Sequence, residues 1–502
     1  MLACNPAVND SQVPPLRIAI RTPGNLDPAL LKDQAANLIA RQIHEPLVRF
    51  DPRTLDLIPG LAEKWRMHDG GARFVFTLKS DAKFHNGRRV VADDVRFSLS
   101  RLARKSTQSE LAFLMDSVAG FEATAITGSA PELAGVSVID ERNVEVRLSA
   151  PWVDFPYVLT HSATAPLPKP EFEAGPAGFK DAPIGTGPYR LASAVAQGQD
   201  FSIKRAPSNE HGPREVQFKI YDDPEGAWRD FNRGLVDAVE APARFIENAR
   251  SRFGAGGFQS LAAGLYLGIN VKKVPDIRVR QAIALSIDRA SIAEQVYGDL
   301  LIPSANLTPT GISGRNRTAC GDLCKLNTKR AVSLLRETYG QAPLPAFNLD
   351  FETNASNDLV AARIKEDLEA VGLTVNLQGR DLPGFFGALG ERNHDLFRFG
   401  WVADYPLADW FMNPLFRSGS LDNNTGFSSP EIDARLAAAR AEPGKTARLE
   451  AYRDLERQLV QEVAVVGLGQ FRSRWAASLR VRGFYADQLG GFDVSRLEVH
   501  AP

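Results

Sequence analysis

The chain has 502 residues, 44% hydrophobic and 24% charged, with 59 basic against 60 acidic residues for a net charge of −1. That length is too great for one core and calls for two or three domains, and the composition excludes a disordered chain. The even charge balance argues against a general nucleic-acid binder, and no apolar run reaches the ~18 residues of a membrane helix.

At the start, MLACNP ends in Leu-Ala-Cys like the tail of a bacterial lipobox, whose cysteine is lipidated; this marks Cys4 as a lipidation site, although the charged and apolar parts of a signal peptide do not precede it. The polar, proline-containing NPAVNDSQVPP that follows suits a tether. LRIAIRT (16–22) alternates as a strand does, and LLKDQAANLIARQIHEPLVRF (30–50) carries a helical pattern into a second strand. FVFTLK (74–79) is a strand with Phe74, Phe76 and Leu78 on one face. Asn86-Gly87 marks a turn, and a helix begins near Ala92 with Asp93 and Asp94 in its first turn, where the dipole favours them. VSVID and VEVRLS (136–149) form a hairpin, and IGTGPYRL (184–191) is a turn entering a strand.

A strand at 265–270 leads to Pro275, after which Asp276 caps a helix that Gly298 ends. Another helix starts at Asn327-Thr328, residues 346–377 spell strand, helix, strand, and two further helices cover 430–442 and 447–463. Mixed strands and helices throughout define an α/β or α+β multidomain protein.

Three cysteines are present. Cys320 and Cys324 lie in one loop, RTACGDLCKLN. A zinc site needs more ligands, and no histidine lies between His211 and His394. A small disulfide, implying an oxidising compartment, is the reading adopted, with two free thiols as the alternative. The seven histidines form no HExxH, and there is no P-loop, GxSxG or convincing GxGxxG. Ser80 to Lys83 fits SxxK, but that nucleophile motif should open a helix and here follows a strand. No catalytic group, metal or cofactor is expected.

Within FRFGWVADYPLADWF (397–411), Arg398 and Asp404 stand among five Phe and Trp residues, and burying an unpaired charge is costly. In a strand over 396–403, Arg398, Gly400, Val402 and Asp404 face one way and Phe397, Phe399 and Trp401 the other. At ~3.3 Å per residue the two charges start about 20 Å apart. Either they meet a ligand or they serve structure, with Trp401 in the core.

Together LAEKW (61–65), FTLKSDAKFHNGRRVVADDVRFSL (76–99), IGTGPY (184–189), INVKKVPDIRVRQAIALSIDR (269–289) and GWVADYPLADWF (400–411) resemble the extracytoplasmic solute-binding proteins of peptide and nickel ABC transporters, family 5, in order from about 16 to about 480. The resemblance implies an α/β, two-lobed binding-protein fold with an extra domain inserted in the first lobe. Lobe I then takes 1–48, 184–266 and 480–502, the extra domain 49–183, and lobe II 267–479, with a hinge near 266 and 480. It implies a monomer outside the cytoplasm, on the cell surface or in the periplasm, held to the membrane through Cys4. Such a protein closes on a peptide or other amine-containing solute and presents it to an ABC permease.

By position, Asp404 is implied to pair with a ligand ammonium and Arg398 with a carboxylate. The backbone at Gly400 and Val402 is implied to add the ligand as a strand beside Trp401, and Lys32 and Gln34 to supply the other wall. This chain departs from the peptide binders at Leu407-Ala408-Asp409, where Asp-Pro is common, in the 465–475 segment, and at Val91, where Thr is usual before ADDV. A metal chelate, an opine or a secondary metabolite is the alternative ligand, and an enzyme on a binding-protein scaffold the third reading.

Overall fold

The computed structural model describes residues 14–500, so Cys4 lies outside the described residues. The chain divides into two compact units. Among the described residues one comprises 14–258, 474–487 and 491–500, the other 259–473 and 488–490. The chain passes between the units at 258–259 and 473–474, on either side of the strands Ser260–Ile269 and Val465–Arg472 that pair in one sheet of the second unit, and again at 487–488 and 490–491.

In the first unit a six-stranded sheet runs, edge to edge, Trp475–Ala477, Ala238–Glu240, Leu16–Ile20, Glu215–Ile220, Phe201–Arg205, Tyr189–Leu191. Leu16–Ile20 is parallel to both its neighbours. It was read as alternating, yet four of its five residues are buried. A central strand is covered on both faces, so a near-continuous apolar run fits it. Its Arg17 reaches the buried Asp237, which Arg480 also contacts, each at 2.9 Å.

A separate four-stranded antiparallel sheet in the same unit has the order Ala62–His68, Arg73–Leu78, Asn143–Arg147, Val136–Val138. Phe74, Phe76 and Leu78 are buried on one face as the alternation requires. Gly87 turns the chain at φ 89°, a conformation open to glycine, and Lys83 and Arg89 bridge across that turn. The helix Ala92–Ala103 follows. Valine at 91 has no capping oxygen; instead the Asp94 carboxylate reaches back to accept from the Val91 N–H at 3.0 Å. Ser80 to Lys83 lie in the turn after the strand and open no helix.

In the second unit the sheet order is Leu301–Pro303, Val465–Arg472, Ser260–Ile269, Leu396–Val402, Ala346–Glu352, Thr374–Arg380. Ala346–Glu352, the helix Ala355–Glu369 and Thr374–Arg380 form the expected parallel unit. The core joins Leu265, Leu267 and Ile269 to Val279 and Ile283, and to Ile364 and Leu368. The single helix expected from Asp276 to Gly298 is broken. Asp276 does cap Ile277–Ser286, but Ile287 is extended, and Asp288 starts a new turn by accepting from the Ser291 N–H at 3.0 Å. The buried Arg289 guanidinium fixes the break, donating to the carbonyls of Ala284, Ile287 and Gly467.

Cys320 and Cys324 are bonded to each other, with Cα atoms 5.3 Å apart. In protein made in an oxidising compartment, alkylation followed by peptide mass spectrometry is expected to leave both unlabelled until reductant is added. Labelling of both without reductant would show two free thiols instead. Among the described residues no helix is long and apolar enough to cross a membrane.

Candidate functional site

The strand Leu396–Val402 pairs along its whole length with Ser260–Ile269, from Ala263↔Val402 to Ile269↔Leu396. On its other side the register with Ala346–Glu352 covers only Leu396 and Phe397. The neighbouring Phe351 and Glu352 pair with Gly379 and Arg380. Residues 398–402 therefore have no ladder on that side among the described residues. Such an edge is a template for another strand. At Gly400 the sheet face is open: an added Cβ would meet only the Gly264 carbonyl, at 3.9 Å. Val402 is 66% exposed.

The aromatic face is tightly built. Phe397 stacks on Phe399 at 5.2 Å, and Phe399 on Tyr266 at 5.3 Å. Gly268 lies opposite Phe397, and a Cβ there would come within 2.1 Å of that ring, so the missing side chain makes room for it. Trp401 stacks on Trp410 at 5.7 Å, and the two indoles are cross-tied. Trp401 Nε1 donates to the Trp410 carbonyl at 2.9 Å, and Trp410 Nε1 to the Val402 carbonyl at 2.8 Å. The Trp401 N–H is thus committed within the protein, and what it can offer a ligand is part of its ring face.

Arg398 donates through Nη2 to the Tyr297 hydroxyl at 3.1 Å, while its buried Nε has no hydrogen-bond partner. Asp404 is half-buried just past the strand end, and burial pushes its carboxyl up to about 7. Five residues on, Asp409 is fully buried and takes three bonds from Arg440, at 2.9, 3.2 and 2.6 Å, with the Tyr452 hydroxyl at 3.4 Å. That pair anchors the turn Ala408–Phe411, which carries Trp410. The residue read as a departure from the peptide binders thus has a structural task.

In the first unit, Lys32 and Gln34 were placed within a continuous helical pattern. The chain is instead extended at Leu31 and Asp33, and Asp33 caps a helix that begins at Gln34. Lys32 pairs with Glu110 at 2.5 Å, both side chains being well exposed, so the pair is worth little. Gln34 lines a cavity of about 390 Å³ at the carboxyl ends of Leu16–Ile20, Glu215–Ile220 and Ala238–Glu240. This is where open α/β sheets hold ligands. Gln34 Nε2 donates to Glu240 at 2.7 Å, and Arg474 pairs with Glu240 at 2.9 Å. Arg21 and Tyr221 line the same cavity. Sequence reasoning missed these four; only their positions at strand ends could have pointed to them.

A unit whose mixed sheet has parallel central strands with a cavity at their ends, and a second unit with an open strand edge, define a two-lobed binding-protein fold with an extra sheet in the first lobe. The solved structures agree. HbpA2 from Haemophilus parasuis aligns at a TM-score of 0.84 and 21% identity, covering 97% of this chain and 100% of that one. Escherichia coli MppA aligns at 0.77 and 22%, covering 98% and 99%. Residues 56–423 match the bacterial extracellular solute-binding proteins, family 5 Middle, and the chain belongs to that family. Among its relatives are the periplasmic oligopeptide-binding protein OppA of Salmonella typhimurium and the dipeptide-binding protein DppE of Bacillus subtilis. OppA is 28% identical, covering 88% of this chain and 84% of OppA. DppE is 24% identical, covering 87% and 83%.

Proposed function

We propose that this protein is the extracytoplasmic substrate-binding component of an ABC importer, taking a peptide or peptide-like amine and passing it to a membrane permease. The observation that carries the reading is the open edge at residues 398–402, which ends two residues before the half-buried Asp404. Both elements fit one ligand. An extended peptide adds to the edge through main-chain bonds at Gly400 and Val402, and its α-ammonium meets Asp404. The names of OppA and DppE, which refer to oligopeptides and dipeptides, support it.

Arg398 is assigned the ligand carboxylate, reached by leaving Tyr297. Trp401 offers its ring face, and in the first unit Gln34, bonded to Glu240, is assigned a ligand contact. Lys32 stays in the assignment as a residue that would have to leave Glu110 to reach a ligand. The family is one of solute-binding proteins, and the reading is of a binder, not an enzyme. Lipid anchoring at Cys4, a monomeric state and an extra domain over 49–183 complete the proposal.

Native mass spectrometry of the purified protein is expected to reveal a co-purified peptide-sized ligand. The ligand is further expected to compact the protein by bringing the units together. Small-angle scattering should give a smaller radius of gyration with saturating peptide than without. An unchanged profile at saturation, from an apo form shown to be open, would argue against closure.

A further inference from the structure

We propose that the first unit also holds a small tetrahedral oxyanion, phosphate. Its place is a cavity between the end of the helix Gln34–Ile43, the strand Val48–Phe50 and the C-terminal segment. The cavity encloses about 120 Å³. That is far below the roughly 300–1,000 Å³ of pockets that take drug-sized ligands, and it suits a compact ion. Four guanidinium groups line it, those of Arg41, Arg49, Arg53 and Arg496, against two carboxylates, Asp487 and Asp493.

Arg41 is held by Asp487, and Arg49 by Asp493 at 2.6 Å. Arg496 lies 3.5 Å from both Asp51 and Asp493. Arg53 has no ion pair among the described residues; it lies over the Tyr485 ring at 4.5 Å. With Asp51 counted, three carboxylates face the four guanidinium groups, which leaves a surplus of one positive charge.

A second observation is independent of the arginines. His44 lines the same cavity, is 1% exposed, and neither ring nitrogen has a hydrogen bond of ordinary geometry. The backbone of Leu26 lies near enough to favour the charged ring weakly, and it can serve one nitrogen at most. Burial dominates and keeps the imidazole neutral, so the ring has a single N–H, which faces the Leu26 backbone, and its other nitrogen can only accept. Buried polar atoms in folded proteins are almost always satisfied, and an orphan calls for a missing partner. A phosphate that accepts from the spare N–H groups of Arg49 and Arg53, and whose own O–H donates to the bare His44 nitrogen, supplies that partner and offsets the surplus charge. Guanidinium forks match tetrahedral oxyanions through paired bonds.

The test uses the full chain and inorganic phosphate. Titration calorimetry at constant ionic strength, with chloride as the balancing anion, is expected to show saturable binding of one phosphate. Phosphate is also expected to raise the melting temperature more than chloride does. Arg53→Gln is the informative variant, because its side chain is in no ion pair and the fold should stand without it. It is expected to weaken phosphate binding about 10- to 100-fold, the range of one charge-assisted hydrogen bond. Saturable binding lost in Arg53→Gln supports the site. Three results overturn it: no saturable heat at millimolar phosphate, equal stabilisation by chloride, or unchanged affinity in Arg53→Gln. Each would leave a cavity filled by water.

Discussion

Asp404→Asn is expected to weaken binding of a peptide with a free amino terminus by roughly 30- to 3,000-fold. Removing one partner of a desolvated charge pair costs about 2–5 kcal/mol, at 1.4 kcal/mol per decade. N-acetylating the peptide should mimic the mutation. The two changes together should cost less than their sum, because they remove one shared interaction. Strictly additive losses in a calorimetric cycle would take Asp404 out of the site.

The pH dependence has a definite sign. Burial holds the Asp404 carboxyl at about 7 before a ligand binds, so it is largely protonated below that pH. A bound ammonium favours the carboxylate, so binding releases a proton. Affinity should therefore be greatest above pH 7 and fall as pH drops through it, a trend lost in Asp404→Asn. For stability the sign is reversed. The folded carboxyl lies above the ordinary value of about 3.9, so the folded state binds more protons between pH 4 and 7. Stability contributed by this group falls as pH rises through that window, and at pH 8 the asparagine variant should melt no lower than the parent.

Asp409→Asn is expected to do the opposite. Its carboxylate is fully buried and takes paired bonds from Arg440, so the change strands a guanidinium that lies mostly out of water. Breaking such a pair costs about 3–5 kcal/mol. For a unit of roughly 200 residues at about 2–4 °C per kcal/mol, the melting temperature should drop by roughly 6–20 °C. Peptide affinity at a temperature where the variant is folded should change far less than in Asp404→Asn. A melting temperature unchanged in Asp409→Asn, with affinity lost, would reverse the roles of the two aspartates.

Several features were legible because they rest on neighbouring residues. The caps at Asp276 and Asn327 are side chains bonding to N–H groups two or three residues away. The turn at Gly87 depends on one backbone conformation. The alternation from Leu396 to Val402 follows from the geometry of a strand, whatever lies beside it. These local signals, with the order of the family's segments, were enough for the fold class.

What failed or stayed hidden depends on partners distant in sequence. The helix ends at Ser286 because Asp288 is held by Asp367, 79 residues on, and because Arg289 reaches Gly467. The Tyr297 hydroxyl that Arg398 meets lies 101 residues back. Glu240 and Arg474, which share the cavity with Gln34, are 234 residues apart. Nor does sequence tell Asp404 from Asp409, since both are acids among aromatics in one short segment. The sequence by itself determined which residues carry charge and which way strand residues alternate. Only the tertiary structure decided which charges are paired, because pairing depends on which distant strands and helices bring a counter-charge within a few ångströms.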